Sequence, residues 1–524
     1  MPSEAWRRHF SVQTSDIEYL TNLLLEKETP LTSRQLALAL IQRWLDKQTA
    51  RLEERYKDTR VYNPADSYEV GQRLLFPALG NAIGVVTAVR DGENPDYGEF
   101  KVITVELEDD DLNVEKEFAA ELKTEHKLIQ AAENGSSPLT QFADLEPEAL
   151  LASDEERIIQ SLEELLEEDG NLIRLAGTWF PKDLLIEIDL GTLHLAEAVL
   201  DLAGGGPLTT IEILKEIGMY EASAEALQVF SLNYAMAHDD RFDEVGPAGI
   251  VLWYLKRMEP EAVQSTPEFL QYTPIDYDRE LLTPEMLELE AEIADEYSPL
   301  NGDDAPIEEA TITLIYPHRI TGTLPLNIHT QKIFPTAHTP RVWVTLVDGQ
   351  DGETYTGWVV HGDRYIYGLQ EYYKKHRLPI GAYLKVRKGD KPGHFVIDFN
   401  AYNPHREWLN VITANTEQIQ LENDRRMIGG EYDDLITFGV DNLEALHQLR
   451  NTIRQQKRPL TSILKEIAAS LRQLTPQGTV HVKTLYSIAN VFYRCPPGPI
   501  MAILVANPAF EEVGNHYWQL TERD

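Results

Sequence analysis

Seven of the fourteen histidines in this 524-residue chain fall between positions 318 and 405: His318, His329, His338, His361, His376, His394 and His405. A protein zinc site draws its ligands from short, regular spacings such as HxH or HExxH, or from added cysteines. None of the seven has such a neighbour, and the single cysteine, Cys495, stands apart in Arg494-Cys495-Pro496-Pro497. That setting fits a buried structural thiol better than a nucleophile. Pro95-Asp96 followed by Glu99-Phe100-Lys101 offers the residue types of metal-dependent phosphodiester cleavage. That chemistry needs the Asp and the Glu/Lys pair on separate strands, and the short spacer between them cannot reverse a strand. Gly204-Gly205-Gly206-Pro207 lacks the Lys-Ser/Thr of a phosphate loop, and no Gly-x-Ser-x-Gly elbow occurs. With 86 Asp and Glu residues, no carboxylate pair stands out as an acid/base dyad. The expectation is a protein that is not an enzyme, with no catalytic residue, no cofactor, no metal and no small-molecule substrate.

Binding chemistry is better represented. The net charge of −39 repels phosphates as a whole, but two islands run the other way. Residues 311–406 carry twelve Lys/Arg against seven Asp/Glu, and residues 450–494 carry eight against Glu466 alone. In the second island Arg450, Arg454, Lys457 and Arg458 recur at helical spacing, while Lys483 and Arg494 bracket a further helix. In the first, Arg341, Arg364, Lys374, Lys375, Arg377, Arg387 and Lys388 interleave with Trp343, Trp358, Tyr365, Tyr367, Tyr372 and Tyr373. Cations among aromatics suit phosphate neutralisation with base stacking. The same pattern suits a barrel core with a solvated basic rim, and the residues leave both readings open. The predicted nucleic-acid or partner contacts are Arg450, Arg454, Lys457, Arg458, Lys483, Arg494, Arg364, Lys374, Lys375, Arg377, Arg387 and Lys388.

The elements that must position these groups follow from periodicity. Ile17, Leu20, Leu24 and Leu25, then Leu36, Leu40, Ile41 and Leu45, predict two helices parted at Pro30, within an N-terminal helical region at 1–60. Short strand-like runs within 68–107 predict a small SH3-like barrel, taken as 61–130. Residues 143–170 hold eleven acids and one base, yet Ile158, Leu162 and Leu166 keep helical spacing, which places an acidic helical segment at 131–180. Residues 281–310 hold ten acids and no base and end in Pro, Asn and Gly, so 261–310 reads as an acidic linker with some helix. Strand patterns fill 311–406, a basic barrel-like domain with one helix near 367–376. The whole reads as multidomain α+β.

The most specific signal is a repeat. Residues 207–218 begin Pro-Leu-Thr-Thr-Ile and residues 459–468 begin Pro-Leu-Thr-Ser-Ile; Phe242-Asp243-Glu244-Val245-Gly246 with Trp253 is matched by Phe510-Glu511-Glu512-Val513-Gly514 with Trp518. Helices followed by a two-stranded wing make a winged helix. These residues resemble HARE-type winged-helix domains, as in the delta subunit of bacterial RNA polymerase, at 190–256 and more loosely at 443–520. Winged-helix domains are thus expected at 181–260 and 407–524. Residues 16–45 share only the helical half. Gly368 to Tyr373 and Leu378 to Val386 faintly resemble B3-type DNA-binding pseudobarrels. The resemblances imply a transcription- or chromatin-associated protein that contacts DNA, RNA polymerase or another protein partner. The alternative is an acidic protein–protein scaffold or nucleic-acid mimic. One cysteine, no apolar leader and no apolar run of about 18 residues predict a cytoplasmic chain without a membrane segment.

Overall fold

The computed structural model describes residues 6, 10–94, 98–108, 115–123, 145–175, 177–302, 305–337, 339–414, 418–475 and 477–521, so Pro95-Asp96 lies outside the described residues. The chain is mixed α+β and divides into two compact units, Met1–Ile186 and Glu187–Asp524. Among the described residues no single helix is long and apolar enough to cross a membrane.

In the first unit, α1 (Thr14–Lys27) and α2 (Ser33–Arg55) lie where the leucine spacing predicts, with the two-residue strand β1 (Leu31–Thr32) between them. Thr32 caps α2: its hydroxyl accepts from the Gln35 backbone N–H while Gln35 Oε1 accepts from the Thr32 N–H. The chain then forms a five-stranded sheet in sequence order: β2 (Thr59–Val61), β3 (Arg73–Phe76), β4 (Ala82–Asp91), β5 (Lys101–Leu107) and β6 (Glu115–Ala120). Tyr62, Leu74, Phe76, Val86, Ile103 and Val105 fill its inner face. After it come α3 (Pro147–Ala152), α4 (Glu155–Asp169), β7 (Leu172–Leu175) and β8 (Thr178–Pro181).

The acidic segment expected at 131–180 is therefore not a separate region. Ile158, Leu162 and Leu166 share one core with Leu20, Leu24, Leu36 and Leu40, and β8 pairs with β1, Trp179 opposite Leu31. The five-stranded sheet is an insertion within a helical unit.

The second unit opens with α5 (Leu190–Leu202), α6 (Thr210–Glu216), α7 (Glu225–Ala237) and the hairpin β9 (Phe242–Glu244) and β10 (Trp253–Leu255). The short α8 (Glu261–Gln264) and α9 (Pro284–Ile293) follow. A seven-stranded curled sheet contains β11 (Glu309–Thr313), β12 (Thr323–Pro325), β13 (Arg341–Asp348), β14 (Thr354–Val360), β15 (Tyr365–Tyr367), β16 (Tyr383–Lys388) and β17 (His394–Asp398). Its strand order is β11-β16-β17-β13-β14-β15-β12, with one parallel pair, β13 and β17. Helices α10 (Tyr316–Thr321) and α11 (Gln370–Lys375) join its strands. A second sheet consists of β18 (Ala401–Ala414), β19 (Ile419–Gly430) and β20 (Gly439–Asp441). The predicted boundary at 406/407 falls inside β18. The chain ends with α12 (Leu443–Gln455), α13 (Leu460–Arg472), β21 (Thr479–His481), α14 (Val482–Phe492), α15 (Pro497–Ala506), β22 (Phe510–Gly514) and β23 (Tyr517–Leu520).

One order of elements occurs three times: helix, short strand (in the middle copy the single bridging residue Leu208), helix, helix, hairpin, with the inserted sheet and α3 as additions in the first copy. In each copy the short strand lies against the last strand, opposite a tryptophan: Leu31 with Trp179, Leu208 with Trp253, Val480 with Trp518. The next residue caps the following helix, Thr32, Thr209 or His481. The Pro-Leu-Thr match is thus out of register by one helix. In the middle copy it supplies the short strand and the cap of α6, whereas Pro459-Leu460-Thr461 opens α13, the helix before the short strand. Proline, leucine and threonine suit any helix start, so the triplet reports a local capping preference and not a position in the fold.

Candidate functional site

Three of the predicted contact residues lie in the interior. Arg450 and Arg494 are each 3% exposed, and Lys483 is buried as well. Arg494 sits between two buried carboxylates, with Nη1 2.9 Å from Asp295 Oδ2 and Nη2 2.6 Å from Glu296 Oε1. His318 Nε2 lies 3.1 Å from the same Glu296 oxygen, while His318 Nδ1 contacts the Thr323 hydroxyl at 2.8 Å. The Tyr486 hydroxyl donates to Asp295 Oδ2 at 2.6 Å. Burial opposes the charge on Glu296, but Arg494 and His318 overcome it and hold the carboxyl down to about 2. Burial pushes Asp295 up against the pull of Arg494. Lys483 spans Glu292 at 2.6 Å and Asp433 at 2.9 Å.

This cluster corrects the linker expected at 261–310. Met286 and Leu289 of α9 join the core of the C-terminal repeat, and Asp295 and Glu296 are buried beside it. A carboxylate leaves water only where a cation and hydrogen bonds replace its hydration, and Arg494, Tyr486 and His318 do so for Asp295 and Glu296. The basic island is occupied by the chain's own acidic segment. Beside the cluster lies a pocket of about 200 Å³ lined by Glu292, Asp295, Asn327, Tyr383, Lys483 and Tyr486. Its principal polar groups are already engaged with one another: Lys483 with Glu292, Tyr486 with Asp295, and Asn327 Nδ2 with the Ala294 carbonyl.

Arg450, Arg454, Lys457, Arg458 and Arg494 are brought together around a second pocket, about 330 Å³, with Phe492 and Tyr493. Most of its charge is spent internally. Arg450 donates to the Val491 and Glu268 carbonyls at 2.9 Å each and lies 3.9 Å from the centre of the Phe269 ring. Its burial pulls the guanidinium down to about 10. Arg454 pairs with Glu268 at 2.7 Å and Arg458 with Glu466. Among the described residues, Lys457 alone of these five has no carboxylate partner.

The predicted residues of the curled sheet are scattered. Arg364 donates to the Glu296 carbonyl at 2.7 Å. Lys374 pairs with Glu371, and Lys375 is held by Asp348, Asp351 and Glu353 at 2.8, 2.5 and 2.7 Å. Those three carboxylates could hold a metal ion by spacing, but the Lys375 ammonium occupies the position between them. Arg377, Arg387 and Lys388 are exposed. Of the aromatics read either as a stacking surface or as barrel core, Trp358, Tyr365, Tyr372 and Tyr373 are core, at most 1% exposed, while Trp343 and Tyr367 are half-buried. Cys495 is buried, and burial pushes its thiol up to about 12.

The helix that precedes each hairpin is the one a winged helix would place in a DNA groove. In the N-terminal copy it is α4, EERIIQSLEELLEED; in the middle copy α7, EALQVFSLNYAMA, has no Lys or Arg. In the C-terminal copy it is α15, PGPIMAILVA, uncharged and buried except at Ile503, Val505 and Ala506. The helix bracketed by Lys483 and Arg494 is α14, one element earlier, and all but one of its residues are buried. Comparison with protein-family models, with curated proteins and with solved structures yields no match.

Sequence reasoning missed the partner of the basic island and the closing hairpin of the N-terminal copy, β7 and β8. The one available signal was the helical spacing of Met286, Leu289 and Ile293 within the acidic run, which gives that stretch an apolar face to bury.

Proposed function

We propose that this chain is a non-enzymatic scaffold, associated with transcription or chromatin, whose three winged-helix-like repeats dock proteins. The order helix, strand, helix, helix, hairpin, with the first strand beside the last, supports the winged-helix reading of each repeat. One observation carries the docking role: none of the three helices preceding a hairpin presents an exposed basic surface. Reading a major groove takes donors aimed at base edges and cations at the phosphates. An acidic helix, one without Lys or Arg, and a buried apolar one supply neither. The acidic surface of α4 instead suits a basic protein partner, the class to which polymerase-like machinery belongs.

Affinity capture with the full chain, with and without nuclease, tests this reading. A basic partner retained after nuclease treatment is the expected result. Loss of every specific partner on nuclease treatment would overturn it.

A further inference from the structure

We propose that one face of the β18–β19 ribbon is a binding platform for single-stranded nucleic acid; the inference does not depend on the docking role of the repeats. Alternation along two paired strands sorts their side chains onto opposite faces. Arg406 is opposite Met427, Trp408 opposite Arg425, and Asn410 opposite Asn423, so these six share one face. Glu407 is opposite Arg426, Leu409 opposite Asp424, and Val411 opposite Glu422, so every carboxylate of the ribbon falls on the other face. There Arg426 is consumed by Asp424 at 3.0 Å and Asp441 at 2.6 Å. The first face is left with two arginines, and among the described residues neither has a carboxylate partner. In a chain of net charge −39, that segregation singles the face out.

The apolar groups on it are exposed too. Trp408 is 62% exposed and Met427 58%, although Ile412, further along the same face, is fully buried. Arg425 lies over the Trp408 ring, 4.9 Å from its centre. A guanidinium stacked on an indole forms a flat surface with a positive edge, beside a polarisable thioether and two carboxamides. Bases stack on such a surface irrespective of sequence, while the arginines take the phosphates. A duplex hides its bases, so the single strand is the form that uses the tryptophan. An acidic peptide would use only the charge.

Fluorescence anisotropy of a labelled thymidine oligonucleotide of about 12 residues, titrated with the full chain at about 50 mM salt, tests the proposal. Binding is expected, and Trp408→Ala should weaken it by about fivefold or more. Replacing both Arg406 and Arg425 with Ala should flatten the slope of log K against log salt by about 1.4. Arg377→Glu, an exposed charge change off the ribbon, should leave the slope nearly unchanged. All the altered side chains are exposed, and thermal melting of each variant confirms its fold. No binding at low salt would overturn the proposal, as would affinity unchanged in Trp408→Ala or competition by polyglutamate as strong as by unlabelled oligonucleotide.

Discussion

In the middle repeat the Trp253 indole N–H donates to Asn233 Oδ1 at 2.8 Å and to the Thr210 hydroxyl at 3.2 Å, and Thr210 in turn donates to Asn233. In the C-terminal repeat Trp518 holds the same place, but among the described residues its buried indole nitrogen has no acceptor. The residue matching Thr210 is Val482. The N-terminal repeat sides with the middle one, since Trp179 donates to Ser33 at 3.0 Å. The middle repeat thus carries a polar network of its own, linking the helix after the short strand, the next helix and the last strand. The C-terminal repeat has its polar anchor outside itself, in the contacts of Arg494 with Asp295 and Glu296 just after α9 and of Lys483 with Glu292 at the end of α9 and with Asp433. Closely related frames can be fixed from within or by a clamp, and the two arrangements should fail differently.

The largest expected effect is at the clamp. Arg494→Met leaves Asp295 and Glu296 buried without their cation and should cost about 3–5 kcal/mol in urea unfolding. Adding Asp295→Asn and Glu296→Gln should recover part of that loss. A loss below about 1 kcal/mol would mean that the repeat does not depend on the clamp. Next comes the internal network: Asn233→Ala strands the Thr210 hydroxyl donor, leaves the indole only its longer bond to Thr210 and should cost about 1–3 kcal/mol, whereas Trp518→Phe, whose indole nitrogen has no partner among the described residues, should cost clearly less than Trp253→Phe.

Acid and alkali should then separate the repeats. Burial pushes Glu244 and Glu259 up to about 7 and about 8, Glu259 also through Asp243 and in spite of Arg341. Folded carboxyls that keep protons longer than unfolded ones contribute stability at low pH, which is lost as pH rises from the ordinary carboxyl range through about 8. Burial, with His516 and Lys483, pulls His481 down to about 4, against Asp433 and Glu292. A folded imidazole that refuses its proton adds stability above its ordinary value, lost as pH falls from 6.5 to about 4. Hydrogen-exchange protection should therefore drop first around α6 and α7 on alkalinisation and around α13 and α14 on acidification. Glu259→Gln should blunt the first response alone. The smallest effect is expected from Val482→Thr, which offers Trp518 an acceptor: it should cost about 1 kcal/mol or less, below the cost of Val491→Thr elsewhere on the buried helix.

What could be foreseen from the residues was local. Leucine spacing located α1 and α2, Pro-Leu-Thr marked helix starts, and Phe-x-x-Val-Gly with a following tryptophan located the hairpins that close the two repeats of the second unit. Each is decided within a few residues by capping, periodicity or turn chemistry. What escaped depended on residues far apart. Thr32 and Trp179 belong to one repeat but are separated by the inserted sheet, so no periodicity links them. The segment carrying Asp295 and Glu296 has the composition of a solvated linker, and Arg494, some two hundred residues on, is needed beside the nearer His318 to make its burial tolerable. The aromatic–cation mixture of 311–406 pointed to a stacking surface, yet the ribbon that offers Trp408 and Arg425 begins at its very end and continues past it.

The inserted sheet of the first unit has a consequence for how the chain comes to be folded. Its two ends meet: Glu121 N–H donates to the Asp66 carbonyl at 3.0 Å and Leu122 N–H to the Pro64 carbonyl at 2.9 Å. During synthesis α1 and α2 emerge with their apolar faces uncovered and wait for α4 and β8. Loop-closure entropy grows only with the logarithm of loop length. A sheet that folds first and returns the chain to where it left shortens the loop still to be closed. The insertion acts as a staple that lets a repeat split in sequence assemble almost as if it were continuous.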